Sequence, residues 1–278
     1  MTKRRIDTGT DDLLAEVADG VATLTMNRPE RRNALSAAML TAMGSTLAAC
    51  ETDPDVAVIV LTGAGAAFCA GGDVKGMASG TGGGSTAPAG SDIDSRIHMQ
   101  RLSQRATAGK LHTIPKPTIA AIPGAAAGAG FSLALACDLR IAAENAVMTT
   151  AFAKVGFSGD YGGTYFLTQL VGTAKARELY YLSERIDMKE ALRLGLVNWV
   201  VPADKLADET AKLAQRLARG PRVAYRYMKE NLNRAAAGEA EDCLDLEATH
   251  HVHAGLTEDH REAAQAFVDK REPVFKGR

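Results

Sequence analysis

Two glycine-rich turns are the first residues with chemical potential. Leu61 to Asp73 reads LTGAGAAFCAGGD, and Pro123 to Gly130 reads PGAAAGAG. The first lacks a complete dinucleotide fingerprint, because Phe68 stands where G-x-G-x-x-G needs its third glycine. The second has no P-loop lysine. Both turns offer backbone N–H groups with no side chain in the way. Two such donors aimed at one point form an oxyanion hole, often the largest single catalytic contribution; losing one donor costs ~3 kcal/mol in a protease example. The second turn also feeds a helix, whose N-terminus adds positive potential.

These turns need strands before them and helices after them. Ala22, Leu24 and Met26 alternate on one face of a strand over Val21 to Met26. Leu35, Met39, Met43 and Leu47 then recur at helical spacing, with Ser36 as N-cap and Thr52-Asp53-Pro54-Asp55 as the stop. Val56 to Leu61 is a continuous apolar run, expected to be a strand covered on both faces. Thr118 to Ile122 reads as a strand, Phe131 to Ala136 as a buried helix and Asp138 to Ala142 as another strand. The recurrence predicts an α/β fold with mostly parallel pairing. Ser79 to Asp92 is low-complexity and is expected to form a mobile surface loop, followed by an amphipathic run from Arg96 to Lys110.

Beyond Pro202 the chain becomes charged and helical. We divide it into a core of residues 1–202 and a helical region of residues 203–278, with Leu206, Leu213 and Leu217 as the first apolar stripe of the latter. Ala263, Ala264, Phe267 and Val268 are predicted to share a face of the last helix.

Composition narrows the function. The 278 residues carry 32 basic and 33 acidic side chains, with 46% apolar residues, only 5% aromatics and 27 glycines. Near-neutral charge without a basic patch argues against nucleic acid. The charge-free stretch from Thr118 to Cys137 reaches spanning length, but Pro123, Gly124, Gly128 and Gly130 interrupt it, so no membrane association is expected. The N-terminus shows no apolar core of a signal peptide. Cys50, Cys69, Cys137 and Cys243 form no CxxC pair and read as reduced core thiols of a cytoplasmic protein. His250, His251 and His253 lack spaced ligand partners and read as a solvated helix face, so no metal is expected.

A series of motifs now becomes recognisable: Asn27-Arg28-Pro29, Asn33-Ala34-Leu35, Phe68 to Asp73, Gly124 to Gly130, Ala136-Cys137-Asp138 and Gly162-Gly163-Thr164, with Phe267 to Arg271 near the end. In this order and spacing the chain resembles the crotonase (enoyl-CoA hydratase/isomerase) superfamily over nearly its whole length. The resemblance implies a spiral of ββα units, a helical trimerisation region, homotrimers or dimers of trimers, and acyl-CoA thioester substrates with no separate cofactor. It implies that the N–H groups of Gly72 and Ala129 hold the thioester oxygen. Ala129 stands where glycine is common, and an N–H donor survives that change. Arg32, Ala70, Asp73, Val74, Phe267 and Lys270 match positions that line or reach CoA, with Asp73 also suited to fixing its own turn.

The chain departs from the hydratases of the family. The positions of their two catalytic glutamates hold Ser132 and Phe152, which cannot activate water and manage a second proton. Asp160, in the segment Gly156 to Thr164, resembles the acid of the isomerase branch, which includes ring-epoxide and Δ3,Δ2-enoyl-CoA isomerases. A single carboxylate suits an allylic shift: it takes a proton at one carbon and returns it at another while the oxyanion hole holds the enolate. An N-cap role for Asp160 is the bland alternative. Ser132, Phe152 and Tyr161 are expected around the acyl group, with Tyr165 as a further donor. Other readings are an enoyl-CoA hydratase, a route with Asp160 as nucleophile, a nicotinamide oxidoreductase, and a non-catalytic acyl-CoA binding protein.

Overall fold

Alternating apolar residues build an antiparallel ribbon at the start of the chain: β1 (Arg4–Ile6), β2 (Leu13–Ala18) and β3 (Val21–Met26), the last two with one buried face. These coordinates are a computed structural model and describe residues 3–73, 76 and 90–278. Ser36 caps α1 (Ala37–Thr52), its side chain accepting from the Met39 N–H, and Met39, Met43 and Leu47 lie on the buried side as their spacing requires.

A unit of long strand, short strand and helix then repeats three times. β4 (Val58–Gly63) is followed by β5 (Ala67–Cys69) and α2 (Ile93–Gln104), which continues through a π-helical stretch, Arg105–Gly109, into Lys110–Thr113. β6 (Thr118–Ile122), β7 (Ala125–Ala127) and α3 (Ala129–Ala136) form the second unit. β8 (Leu139–Ala143), β9 (Val147–Thr149) and α4 (Gly163–Leu182) form the third. The chain closes with β10 (Ile186–Asp187), α5 (Met188–Arg193) and β11 (Trp199–Val201). Long strands pair in the order β1-β2-β3-β4-β6-β8-β11, parallel from β3 onward, and short ones in the order β10-β9-β7-β5. Each unit thus adds one strand to each sheet.

Small residues allow successive units to touch by backbone. A Cβ on Gly124 would lie 2.0 Å from the Ala66 carbonyl oxygen, and one on Gly130 would lie 2.4 Å from that of Cys69. All eight residues of α3 are buried. The charge-free stretch is therefore two strands and a short helix, and among the described residues no helix is long and apolar enough to cross a membrane.

α6 (Leu206–Ala218) covers the outer face of the long sheet, packing Leu206, Ala214, Ala218 and the half-buried Leu213 and Leu217 with Val58, Val60, Ile119 and Ile141. This helix lies beyond residue 202 in sequence, yet its apolar stripe completes the packing of the strands. α7 (Arg222–Ala237) docks by a buried lysine: Lys229 Nζ donates to the carbonyls of Leu111 (2.9 Å) and Lys116 (3.2 Å) and pairs with Asp138 at 2.8 Å. α8 (Ala240–Gly255) and α9 (Glu258–Val268) complete the tail.

Two expectations, for His250 and Cys243, need correction. His250 is not solvated; it is buried, stacks on Tyr227 and meets Asn231 and Glu230. Cys243 is half-buried on α8, whereas Cys50, Cys69 and Cys137 are core thiols. On α9 the buried residues are Asp259 and Ala266, while Phe267 and Val268 are 86% and 73% exposed in the single chain. Asp259 is buried because it accepts from the N–H groups of Lys276 and Gly277, so a hydrogen-bonded C-terminal segment selects this face.

Candidate active site

The first turn is held by the segment before α1. Asn33, buried and left-handed at φ 56°, donates from Nδ2 to the carbonyls of Ala64 (2.9 Å) and Ala67 (2.8 Å), and its Oδ1 accepts from the Arg28 N–H (2.9 Å). The Ala70 N–H donates to the Arg32 carbonyl (3.0 Å), and the Leu35 N–H to the Gly71 carbonyl (2.8 Å). Gly71 must be glycine: at φ 87° a Cβ would sit 2.7 Å from the Ala127 oxygen and 3.3 Å from the Ala129 nitrogen. The Gly71-Gly72 peptide therefore rests against the start of α3. Ala129 is the first residue of that helix, so its N–H has no intrahelical acceptor. The fold brings together the two turns whose amides suit an oxyanion.

Asp160 comes from the loop before α4. Gly159, Tyr161 and Gly162 have φ of 117°, 47° and 75°, and this run turns the chain sharply into the helix. Gly162 is the N-cap and no side chain bonds the helix end, so Asp160 does not cap α4. Its Oδ1 is buried without a hydrogen-bond partner among the described residues. Burial pushes the Asp160 carboxyl up to about 6. The acid lies close enough to Cys69, in the first turn, for its charge to add to the burial that raises the thiol to about 12. The acid's loop also packs on α3, for a Cβ on Gly163 would lie 2.3 Å from Ser132 Oγ.

α2 holds the residue after the acid. Gln104 Oε1 accepts from the Tyr161 N–H (2.8 Å), and Tyr161 Oη meets Ser103 Oγ at 3.2 Å, next to the π-helical stretch. Burial raises the Tyr161 phenol to about 12. Ser132 is buried on α3, its hydroxyl donating to the Gly128 carbonyl (3.3 Å) and lying beside Gly163. Phe152 is buried and stacks on Tyr180 with centroids 5.7 Å apart. Tyr165 is partly exposed and meets His112 edge-on.

The remaining predicted residues are more dispersed. Ala70 is half-buried beside Arg32, whose exposed side chain makes no ion pair among the described residues. The Asp73 carboxylate accepts from the Gly76 N–H (3.0 Å) and faces Arg28 (3.5 Å) and Arg31 (3.7 Å); the Gly76 hydrogen bond, then the two arginines, hold its pKa below the usual value. Its oxygens are engaged in fixing the turn. Val74 and most of the Ser79 to Asp92 loop lie outside the described residues. Phe267 and Lys270 are exposed at the end of α9 and just beyond it.

Sequence reasoning missed Tyr180, Gln104 and Ser103. Tyr180 carried no readable signal, because Gly172 (φ 74°, ψ 168°) breaks the backbone of α4 and with it the helical period that would have projected the residue toward Asp160. The amphipathic run around Gln104 showed a helix but not its π-helical offset, which changes the faces of the residues beside it.

The three repeated units and their two layered sheets define the crotonase fold, and solved structures agree. A putative enoyl-CoA hydratase from Streptomyces coelicolor superposes with a TM-score of 0.89 at 33% identity, covering 96% of this chain and 94% of that one. The chain belongs to the enoyl-CoA hydratase/isomerase family, which it matches over residues 16–278, and it is an enzyme of that family. Among curated relatives, it is 36% identical over 266 residues to the 1,2-epoxyphenylacetyl-CoA isomerase of Escherichia coli K12, covering 96% of this chain and 98% of that protein. It is 37% identical over 265 residues to a probable enoyl-CoA hydratase of Rhodobacter capsulatus, covering 95% and 97%.

Proposed function

We propose that this protein is an enoyl-CoA isomerase in which Asp160 carries the proton. The observation behind this reading is the half-buried Asp160, whose Oδ1 is buried and unpartnered among the described residues, on a loop that packs through Gly163 against Ser132 of the helix beginning at Ala129. Those amides hold the thioester oxygen and acidify the adjacent carbon. Asp160 removes a proton from C2 of a 3-enoyl-CoA, the electrons pass into the dienolate, and the same carboxylic acid returns the proton to C4, so no atom is gained or lost. A carboxyl near pKa 6 is basic enough to accept that proton and acidic enough to give it back. Coenzyme A enters as part of the substrate, with Arg32, Ala70, Asp73, Val74, Phe267 and Lys270 around it, and no other cofactor takes part.

On the same reading the enzyme works in the cytoplasm as a homotrimer or a dimer of trimers; the exposed apolar Phe267 and Val268 at the end of the tail support a second copy there. A hydratase is the second reading, favoured by the similarity to the Rhodobacter protein. It needs a second group to manage the proton of water. The test assays 3-enoyl-CoA isomerisation against crotonyl-CoA hydration in wild type and Asp160→Asn. Isomerisation lost with Asp160 supports the proposal; strong hydration that survives the substitution overturns it.

A further inference from the structure

Two polar atoms on the acid side are fully buried without a hydrogen-bond partner among the described residues: Asp160 Oδ1 and the Tyr180 hydroxyl. Neither is open to solvent or to a ligand, so a partner for either has to come from the protein itself. The Tyr180 hydroxyl rests against the backbone on both sides of the acid. It lies 3.4 Å from where a Cβ on Gly159 would stand and 2.6 Å from where one on Gly163 would stand, so glycine at these positions admits the phenol. Stacking on Phe152, at an interplanar angle of 10°, fixes the ring. The Asp160 carboxyl is the more adaptable group, because its terminal torsion is broad. Asp160 as a whole is half-buried, with Oδ1 its inward oxygen.

The other groups near the acid are engaged or weak. The charge of Asp160 acts on Cys69 in the first turn, on Tyr161 next in the chain and on Tyr180 of α4. Cys69 Sγ accepts from the Gly71 N–H (3.4 Å), and a thiol is a weak donor. Tyr161 Oη is shared with Ser103 Oγ (3.2 Å). No cation acts on Asp160 among the described residues, burial being the one cause of its raised pKa. Of these neighbours, Tyr180 is the strong donor left without an acceptor. Burial, then the Asp160 charge, hold the phenol above its usual pKa, so it keeps its proton when the carboxyl ionises. Ser132 Oγ, beside the same Gly163, is the competing acceptor. It is neutral and would leave Oδ1 unpaired, whereas a bond to the carboxylate satisfies both buried atoms and is the stronger one.

We propose that Tyr180 is a positioning residue: with a turn of the Asp160 carboxyl, its hydroxyl donates to Oδ1, pinning the ionised acid and leaving Oδ2 to take the substrate proton. The role of the acid rests on the isomerase reading; the pairing itself does not. A donor on the charged form favours ionisation, so Tyr180 opposes the effect of burial.

The pairing is read without substrate. In protein isotope-labelled at the aspartate carboxyl carbons, the Asp160 resonance, identified by its loss in Asp160→Asn, is titrated by NMR in wild type and Tyr180→Phe. The expected result is a midpoint about one pH unit higher in Tyr180→Phe. An unchanged or lower midpoint overturns the proposal, as expected if Tyr180 gives its proton to Ser132. A crystal structure of wild type at about pH 8, where the acid is ionised, needs no variant to fold. Tyr180 Oη within about 3.2 Å of Asp160 Oδ1 is expected, and a separation beyond about 3.5 Å overturns the pairing. For the positioning role, 3-enoyl-CoA isomerisation by Tyr180→Phe should show kcat about tenfold lower at neutral pH with KM within about twofold of wild type. The pH midpoint of kcat/KM should move upward with the NMR midpoint, and a kcat equal to wild type at every pH overturns that role. If wild type shows no isomerase turnover while the Asp160 resonance still moves in Tyr180→Phe, the isomerase reading fails and the pairing stands.

Discussion

The two sides of the site are built on opposite principles. On the oxyanion side, from Cys69 to Gly72 and Gly124 to Ala129, the surrounding bonds are satisfied: Asn33 closes three hydrogen bonds and glycines bring backbones into contact. On the acid side, from Gly159 to Gly163 with Tyr180, polar atoms are left open and Tyr161 is held in the left-handed region. In the mechanism proposed, the first side acts through main-chain N–H groups, so its side chains matter through space alone. In the same mechanism, the second acts through a side chain that the fold keeps at a cost in stability. Substitutions on the first side should break the fold, and substitutions on the second should break the reaction.

The largest effect is expected at Gly124. A methyl group there would meet the Ala66 oxygen at 2.0 Å, and Gly124→Ala should destabilise by more than about 4 kcal/mol, read as loss of a cooperative denaturant transition at neutral pH. A variant that folds and turns over normally would erase the contrast drawn above. Next is Asp160→Asn, which should lower kcat by about 10²- to 10⁴-fold with an unchanged circular dichroism spectrum.

The same variant sharpens the comparison through stability. The folded Asp160 has its pKa raised from 3.8 to about 6 by burial. The native state therefore holds its proton more tightly than the unfolded state, and stability is lost as pH rises from about 4 through 6. Removing the charge should stabilise the protein at pH 8 by up to about 3 kcal/mol, and denaturant titrations should show the gain fading toward pH 4. A gain independent of pH would mean that the carboxylate is not strained. In wild type, kcat/KM should climb to a plateau with a midpoint near pH 6, because the base acts only when ionised. The smallest effect is expected for Gln104→Ala, which removes the acceptor of the Tyr161 N–H. It should lower kcat about three- to tenfold with little change in KM, since it aims the acid without touching CoA.

Much of the frame was legible in the sequence. β3, β6 and the Ser36 cap lie where periodicity puts them, and β4 and β8 are displaced by one or two residues. The glycine turns were legible because glycine reports a steric demand directly: at Gly71, Gly124 and Gly130 only a missing Cβ allows the approach. Asp160 stood out only through the resemblance to the isomerase branch, since the positions of the hydratases' two glutamates hold Ser132 and Phe152. Gln104 and Tyr180 were not legible, since one sits beside a π-helical offset and the other beyond a broken helical turn. The helices after Pro202 showed their stripes but not what the stripes meet; α6 packs on the strands, and the hydrogen bonds of the C-terminal segment turn Asp259 inward.

The sequence by itself determined the repeating strand and helix units and the two backbone turns, because local spacing and the absence of a side chain are properties of the chain alone; Asp160 was marked only by the resemblance to the isomerase branch. The tertiary structure decided that Asp160 Oδ1 is buried without a partner among the described residues, that burial lifts the pKa of the carboxyl, and that the Tyr180 and Ser132 hydroxyls pack against Gly163. Desolvation and unmet hydrogen bonds depend on which distant segments pack together, and that is settled only when the units close on one another.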